Sequence, residues 1–348
     1  MTVNAYIGWD VGGAHLKMAH IDPAGQVISA SQFPSPLWKG LHVLDQALSD
    51  AKKHLPQSAL QHSITTTAEL VDIFKDRHSG IRALVDRLSL FLNRDSSRFY
   101  AGQAGWVSPA QTENHVKEIA SANWHATARF VANKLHDGVL VDIGSTTTDI
   151  VPFNEGKLLY RGYSDYERMY HSELVYTGII RTPVMAVINK ILSEGKWHPV
   201  VAEHFATMAD VYRLTHELQE LDDMMDPADG AGKEPMDSAR RLARMLGTDI
   251  NEVDGLTQWQ NIAFYIAEAQ LQKIQDALYQ VKSRDVVSQT TNLVGAGAGR
   301  FLVNKLAQRT GMKYMDFADI LDAAAEVKPH AAKCATAVAV AQIARITG

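Results

Sequence analysis

Asp10-Val11-Gly12-Gly13-Ala14-His15-Leu16-Lys17 and Asp142-Ile143-Gly144-Ser145-Thr146-Thr147-Thr148-Asp149 are the two stretches that decide the fold. Each begins at the acidic end of a short apolar run, residues 5–10 in the first case and 138–143 in the second. After each turn the extended pattern resumes. Asp22-Pro23-Ala24-Gly25 and Asn154-Glu155-Gly156-Lys157 then supply turn chemistry, and residues 26–31 and 158–162 read as third strands. Strand, glycine turn, strand, turn, strand thus occurs twice, roughly 130 residues apart, which marks a duplicated domain. A third glycine turn, Gly295-Ala296-Gly297-Ala298-Gly299, follows an apolar strand at 292–294 and leads into a helix at 300–309.

Between these turns the spacing of apolar residues predicts helices. One carries Leu41, Leu44, Ala47 and Leu48, a second Leu70, Val71 and Phe74, a third Leu84, Leu88 and Phe91. A long helix is expected over 109–135, mostly helical chain over 183–221, and further helices over 238–246, 258–281 and 331–346. Residues 219–236, rich in acid, Gly and Pro, read as an exposed loop.

Consecutive glycine amides form a nest for an anion, because no side chain holds the phosphate oxygens away. Gly12, Gly13, Gly144, Ser145, Thr146 and Thr147 are the candidate phosphate contacts. Arg168 and Arg181 add planar cations suited to an oxyanion. An acid at a strand end can hold Mg²⁺, usually through water, so Asp10, Asp142 and Asp149 are the candidate metal residues. One such turn alone is as compatible with a simple tight hairpin. Three of them in this order are more specific.

Composition narrows the function. The 348 residues suit two domains. Lys and Arg number 34 against 39 Asp and Glu, a net charge of −5, which argues against a nucleic-acid partner. No apolar run reaches the roughly 18 residues of a membrane helix, so no membrane partner is expected. The opening MTVNAYIGWD lacks a signal-peptide pattern, and Cys334 is the one cysteine, so a reducing cytoplasm is the expected compartment. Cys334 lies in an alanine-rich helix and reads as buried and inert. His20, His42, His54, His62 and His330 show no metal-ligand spacing.

The first two turns resemble the two phosphate loops of the actin, heat-shock ATPase and sugar-kinase superfamily, and residues 295–299 resemble its adenosine loop. Gly295, Gly297 and Gly299 are then the implied nucleotide contacts. The second turn is especially similar to the hydantoinase A/oxoprolinase branch. Within it, Gly8-Trp9-Asp10, Thr67-Ala68-Glu69-Leu70, Ala122-Asn123-Trp124, Glu173-Leu174-Val175-Tyr176-Thr177-Gly178 and Ala202-Glu203-His204-Phe205-Ala206-Thr207 resemble a small family tied to tetrahydromethanopterin-linked one-carbon metabolism and methanofuran biosynthesis.

The resemblance implies a two-domain α/β protein of the actin-like ATPase fold, with a duplicated core and a ligand cleft between domains. Residues 1–135 and 136–330 would form the domains and 331–348 a closing helix, packing back on the first. Relatives in the small family are synthases that join an aminomethylfuran diphosphate to a tyramine derivative and release pyrophosphate. This chain departs from the kinase pattern at Ala14 and His15, where kinases carry Thr or Ser. The departure argues against ATP hydrolysis more than against diphosphate binding.

On that reading the leaving diphosphate needs cations such as Lys17, with Mg²⁺. A base must take the phenol proton, and His15, Glu69 and Glu173 are the candidates. His15 also reads as a structural hydrogen-bond donor, Lys17 as an exposed strand lysine, Arg168 and Arg181 as surface ion pairs. Trp9 and Trp124 invite stacking on a substrate ring, against the simpler reading of core packing. The partners implied are a small phosphorylated substrate and Mg²⁺, with ATP and a homodimer left open. A kinase or oxoprolinase-like ATPase, and a non-catalytic nucleotide-binding module for one-carbon enzymes, remain the alternatives.

Overall fold

The computed structural model describes residues 5–57, 60–250, 255–284 and 291–347. The first hairpin and its return strand are β1 (Ala5–Val11), β2 (His15–Ile21) and β3 (Val27–Pro34). Helix α1 (His42–Lys52) leads to β4 (Leu60–Thr66), and α2 (Arg77–Phe91) to β5 (Ser97–Tyr100) and β6 (Trp106–Val107). These six strands form one sheet in the order β3-β2-β1-β4-β5-β6, with β4 parallel to β1 and β5 parallel to β4. Side chains alternate across it, as strand geometry requires. Ile7, Trp9 and Val11 join Leu44, Leu48, Leu84 and Leu88 of α1 and α2 in one core.

Helices α3 (Val116–Ile119) and α4 (Asn123–Lys134) cross to the second sheet. There the hairpin recurs as β7 (Gly138–Ile143) and β8 (Thr148–Asn154), followed by β9 (Lys157–Leu158), helix α5 (Asp165–Tyr170) and β10 (Leu174–Val175). A helical insertion follows: α6 (Val184–Val187), the hairpin β11 (Lys190–Ser193) and β12 (Lys196–Pro199), α7 (Met208–Leu214), α8 (Pro235–Met245) and α9 (Gly255–Lys282). The sheet is completed by β13 (Asn292–Ala296), α10 (Arg300–Thr310) and β14 (Lys313–Asp316) in the order β10-β8-β7-β13-β14. β13 lies parallel to β7 as β4 does to β1, so the duplication read from two turns extends through the sheet topology.

The chain ends in α11 (Lys328–Lys333) and α12 (Ala335–Thr347), so the single helix expected over 331–346 is interrupted at Cys334. α12 is buried on nearly every side, against β1 and against α4. Its alanines permit this, and so does Gly8: a Cβ there would lie 1.8 Å from the Ala337 carbonyl oxygen. Among the described residues no helix is long and apolar enough to cross a membrane.

Three helical expectations are corrected. Residues 70–74 form successive turns, with Val71 donating to the Ala68 carbonyl and Phe74 to that of Val71; the helix begins only at the Asp76 capping box. The helix expected over 109–135 is broken at residues 120–122, where Ala120 bridges to Thr66 of β4 and Ser121 takes φ 53°. Pairing with the sheet overrides local propensity there. Within 183–221, residues 190–199 form a hairpin whose Glu194-Gly195 loop has φ 51° and 72°, the twist that two-residue hairpins favour.

The acidic loop is more than a solvated run. Asp223 and Asp229 pair with Arg213 and Arg241, while Asp226 reaches Lys39 of the first half at 2.9 Å and Asp222 reaches Lys333 at 2.9 Å.

Candidate active site

The two hairpin turns have the same internal geometry. The Gly12 amide donates to the His15 carbonyl at 3.0 Å, and the Gly144 amide to the Thr147 carbonyl at 2.9 Å. The outward carbonyls are occupied: Gly13 and Ala14 accept from Leu37 and Ser35, Gly144 and Ser145 from Ile179, Ile180 and Arg181. The amides of Gly13, Ala14, Ser145 and Thr146 find no acceptor among the described residues. Each turn is therefore a set of free donors on a fixed frame, which is what an anion nest requires.

Both turns line one cleft of about 390 Å³ between the two sheets. Four buried polar atoms of residues on its wall, Asp10 Oδ1, His15 Nε2, Ser145 Oγ and Arg168 Nε, have no partner among the described residues. Buried polar groups are normally paired, so this wall is built for a polar ligand. The floor is charged. Lys17 Nζ stands 3.7 Å from Asp10 Oδ2. Burial pushes the Asp10 and Asp149 carboxyls up, and that of Asp142 up to about 7. Burial alone would depress Lys17, but the carboxyls of Asp10 and Asp142, Asp10 foremost, outweigh it and hold the ammonium charged. Burial, reinforced by Lys17 and Arg181, pushes His15 down to about 4, so its imidazole is neutral.

The predicted cations differ in availability. Arg168 is buried, with Nη1 2.7 Å from Asp149 Oδ1, Nη2 donating to the Glu173 carbonyl and its guanidinium 4.1 Å from the Trp124 ring centroid. It holds Asp149 in place more than it faces a ligand. Arg181 lies 4.4 Å over the ring of Trp38, joining the two halves at the cleft. Asp10 and Asp142 line the cleft, but among the described residues no three acidic, His or Cys side chains converge tightly enough to hold a metal by themselves.

Glu69 lies just behind the wall. Its Oε1 accepts from Ser121 Oγ at 3.0 Å, its Oε2 is buried without a partner, and burial pushes its carboxyl up to about 7. Ser121 Oγ is also 3.2 Å from Asp165 Oδ2, and Arg77 Nη2 is 3.7 Å from the same oxygen.

Glu173 is a correction. Its carboxylate accepts from the Arg161 and Gly162 amides at 2.8 and 3.0 Å and pairs with Arg284; it does not line the cleft. A carboxylate so committed is a structural tie, not a base. Residues 295–299 also lie off this cleft. The Gly297 amide donates to the Ala332 carbonyl and that of Gly299 to Ile143, and a Cβ on Gly297 would meet Asp142 Oδ1 at 2.4 Å. Close packing against the end of β7 accounts for these two glycines.

Trp9 and Trp124 are core residues, 0% and 1% exposed. The indole that the cleft presents is Trp38, which sequence reasoning passed over along with Ser121, Asn123 and Tyr176. Only the Ala122-Asn123-Trp124 and Glu173-Leu174-Val175-Tyr176-Thr177-Gly178 resemblances pointed near any of them.

Comparison with known proteins agrees with this architecture. The nucleotide-free structure of acetone carboxylase superposes with a TM-score of 0.57 at 12% identity, over 89% of this chain and 68% of that one. The fold is that of the actin-like ATPases. The (4-{4-[2-(gamma-L-glutamylamino)ethyl]phenoxymethyl}furan-2-yl)methanamine synthase of Methanocaldococcus jannaschii is 33% identical over 244 residues, 70% of this chain and 72% of its own. The synthase of the same name from Methanococcus vannielii is 35% identical over 127 residues, 36% of this chain and 57% of its own. The family profile described as hydantoinase/oxoprolinase matches residues 61–345, and the chain belongs to that family.

Proposed function

We propose that the chain is a transferase that joins a furan-CH₂ group to the oxygen of a tyramine-type phenol, with pyrophosphate as leaving group. The relatives' name describes a phenoxymethylfuran, an aryl ether between those two groups. The observation that carries the reading is the cleft itself: two turns of free amides with Lys17 and Arg181, and no hydroxyl in the first turn, where Ala14 and His15 stand.

In the reaction the CH₂–O bond to the diphosphate breaks and its electron pair leaves with the diphosphate. The electron-rich furan stabilises the carbon left behind, the phenol oxygen forms the new C–O bond, and the phenol proton passes to a base. The amides of Gly13, Ala14, Ser145 and Thr146, with the Lys17 ammonium, meet the charge that grows on the leaving oxygens. Their frame is fixed before substrate arrives, so no reorganisation is needed at the moment of reaction. The unpartnered Asp10 Oδ1 and the Asp142 carboxyl suit a hydrated magnesium ion, which would supply further positive charge to the diphosphate. Trp38 under Arg181 offers a flat face for an aromatic substrate. The cytoplasm, with Cys334 reduced, is the compartment that fits.

The test is to incubate the purified protein with aminomethylfuran diphosphate, the glutamyl-tyramine phenol and Mg²⁺, and to follow the ether by mass spectrometry and pyrophosphate by a coupled assay. Ether and pyrophosphate in equal amounts are expected. ATP turnover in place of ether would establish the second reading, an ATPase of the same fold.

A further inference from the structure

We propose that Asp165, Ser121 and Glu69 form a proton relay that carries the acceptor's phenol proton from the cleft to the buried Glu69. The inference rests on the transferase reading above and names its proton path.

The argument begins with hydrogen counting. A serine hydroxyl has one hydrogen, yet Ser121 Oγ lies 3.0 Å from Glu69 Oε1 and 3.2 Å from Asp165 Oδ2. With both carboxylates ionised, one contact is oxygen against oxygen with no proton between them. Adding one proton satisfies both: a protonated Glu69 donates to Ser121, and Ser121 donates to Asp165. The cluster is therefore complete only after it has taken up a proton.

The placement gives that proton a direction. Asp165 and Ser121 line the cleft, while Glu69 does not and is 1% exposed. Burial favours the neutral acid at Glu69, while Asp165 stands on the cleft wall with the Arg77 guanidinium 3.7 Å away. Among the described residues, the other titratable groups that face the cluster are Tyr176, exposed on the cleft wall, and Asp149, whose carboxyl is pushed up by burial and by Asp165 and is paired with Arg168. A proton given by the phenol to Asp165 thus moves inward: Asp165 donates to Ser121 Oγ, and Ser121 passes its own hydrogen to Glu69 Oε1. Asp165 is left anionic and ready beside the substrate, and no charge is created in the interior.

Two features of the chain serve this arrangement. Ser121 is a non-glycine residue at φ 53°, in the break between α3 and α4, a conformation that such residues adopt rarely. Its hydroxyl joins Glu69 of the first half to Asp165 of the second, residues 52 and 44 positions away.

The experiment compares wild type with Glu69→Gln, Ser121→Ala and Asp165→Asn, measuring ether formation across pH 5–9. A relay predicts that wild-type kcat rises with pH through a limb near 7, as Glu69 must be empty to accept. Each variant should lose about 100-fold in kcat with KM little changed, and the limb should vanish in Glu69→Gln. A ring-fluorinated tyramine acceptor, whose phenol is largely ionised at pH 8, should restore most of the rate in all three. Pyrophosphate titration and melting temperature, unchanged in at least one variant, separate proton transfer from folding. A wild type that makes no ether overturns the transferase reading. An active wild type whose limb survives in Glu69→Gln, or variants that the acidic phenol fails to rescue, overturn the relay alone.

Discussion

Lys17 holds in the first hairpin the position that Asp149 holds in the second. It faces Asp10 across β1 and β2 as Asp149 faces Asp142 across β7 and β8. The duplication thus sets a cation in one half and an acid in the other at the floor of a shared cleft. The acid is neutralised by Arg168 at 2.7 Å, while Lys17 keeps only a loose contact with Asp10 at 3.7 Å. Lys17 is accordingly the floor cation available to a ligand.

Lys17→Met should weaken pyrophosphate binding by about 1.5–3 kcal/mol, the loss of one charge-assisted hydrogen bond. Calorimetric titration of pyrophosphate with Mg²⁺ into wild type and variant reads this directly. Equal affinities would remove Lys17 from the anion site.

Gly144→Ala and Gly12→Ala should separate binding from folding. Neither glycine has a positive φ, so neither turn depends on glycine for backbone freedom. A Cβ on Gly144 would meet only the Thr147 carbonyl oxygen at 3.7 Å, an ordinary contact, whereas one on Gly12 would meet the His15 carbonyl oxygen at 3.0 Å. Gly144→Ala is expected to keep its melting temperature and lose pyrophosphate affinity, because the methyl screens the amide nest. Gly12→Ala should lose both. If Gly144→Ala binds normally, the second turn is not an anion site.

Glu173→Gln should destabilise the fold more than it slows chemistry. The neutral amide leaves Arg284 buried without its counter-charge and can accept through one oxygen where the carboxylate uses two. Breaking a buried pair in this way costs about 3–5 kcal/mol. Denaturant unfolding should show that loss, with kcat of the surviving folded fraction near wild type. A collapse of kcat in a stable variant would return Glu173 to the catalytic set.

Acid should destabilise the protein through its buried histidines. Burial pushes His15, His62 and His125 each down to about 4, against 6.5 in an unfolded chain. Between those values the unfolded state binds more protons, so this stability is complete above pH 6.5 and is lost as pH falls towards 4, by up to about 3 kcal/mol per group. The raised carboxyls of Glu69 and Asp142 act in the opposite sense over pH 4–7. Comparing His15→Asn with wild type isolates one histidine: urea midpoints at pH 7.5, 5.5 and 4.5 should show the variant gaining relative stability as pH drops. Parallel pH curves would show that His15 is not desolvated.

What the sequence determined by itself is the part built from local hydrogen bonds. Asp10 and Asp142 at strand ends, Gly12 and Gly144 in their turns, and the strands that flank them are written within eight residues each, because a hairpin closes on its own backbone. Repetition of that unit was enough to expect a duplicated domain, and the resemblance it carries to actin-like ATPases implied the cleft. Tertiary structure decided which side chains the cleft receives. Trp38 and Arg181 meet across 143 positions of chain only when the halves come together, and Ser121 reaches Glu69 and Asp165 only because pairing of Ala120 with Thr66 breaks a helix that the local pattern favoured. The same packing withdrew Glu173, Trp9 and Trp124, whose residue types suit chemistry but whose environments are already filled. Local spacing fixes what a backbone can form with itself; availability for chemistry depends on what else is packed against the group, and that is a property of distant contacts.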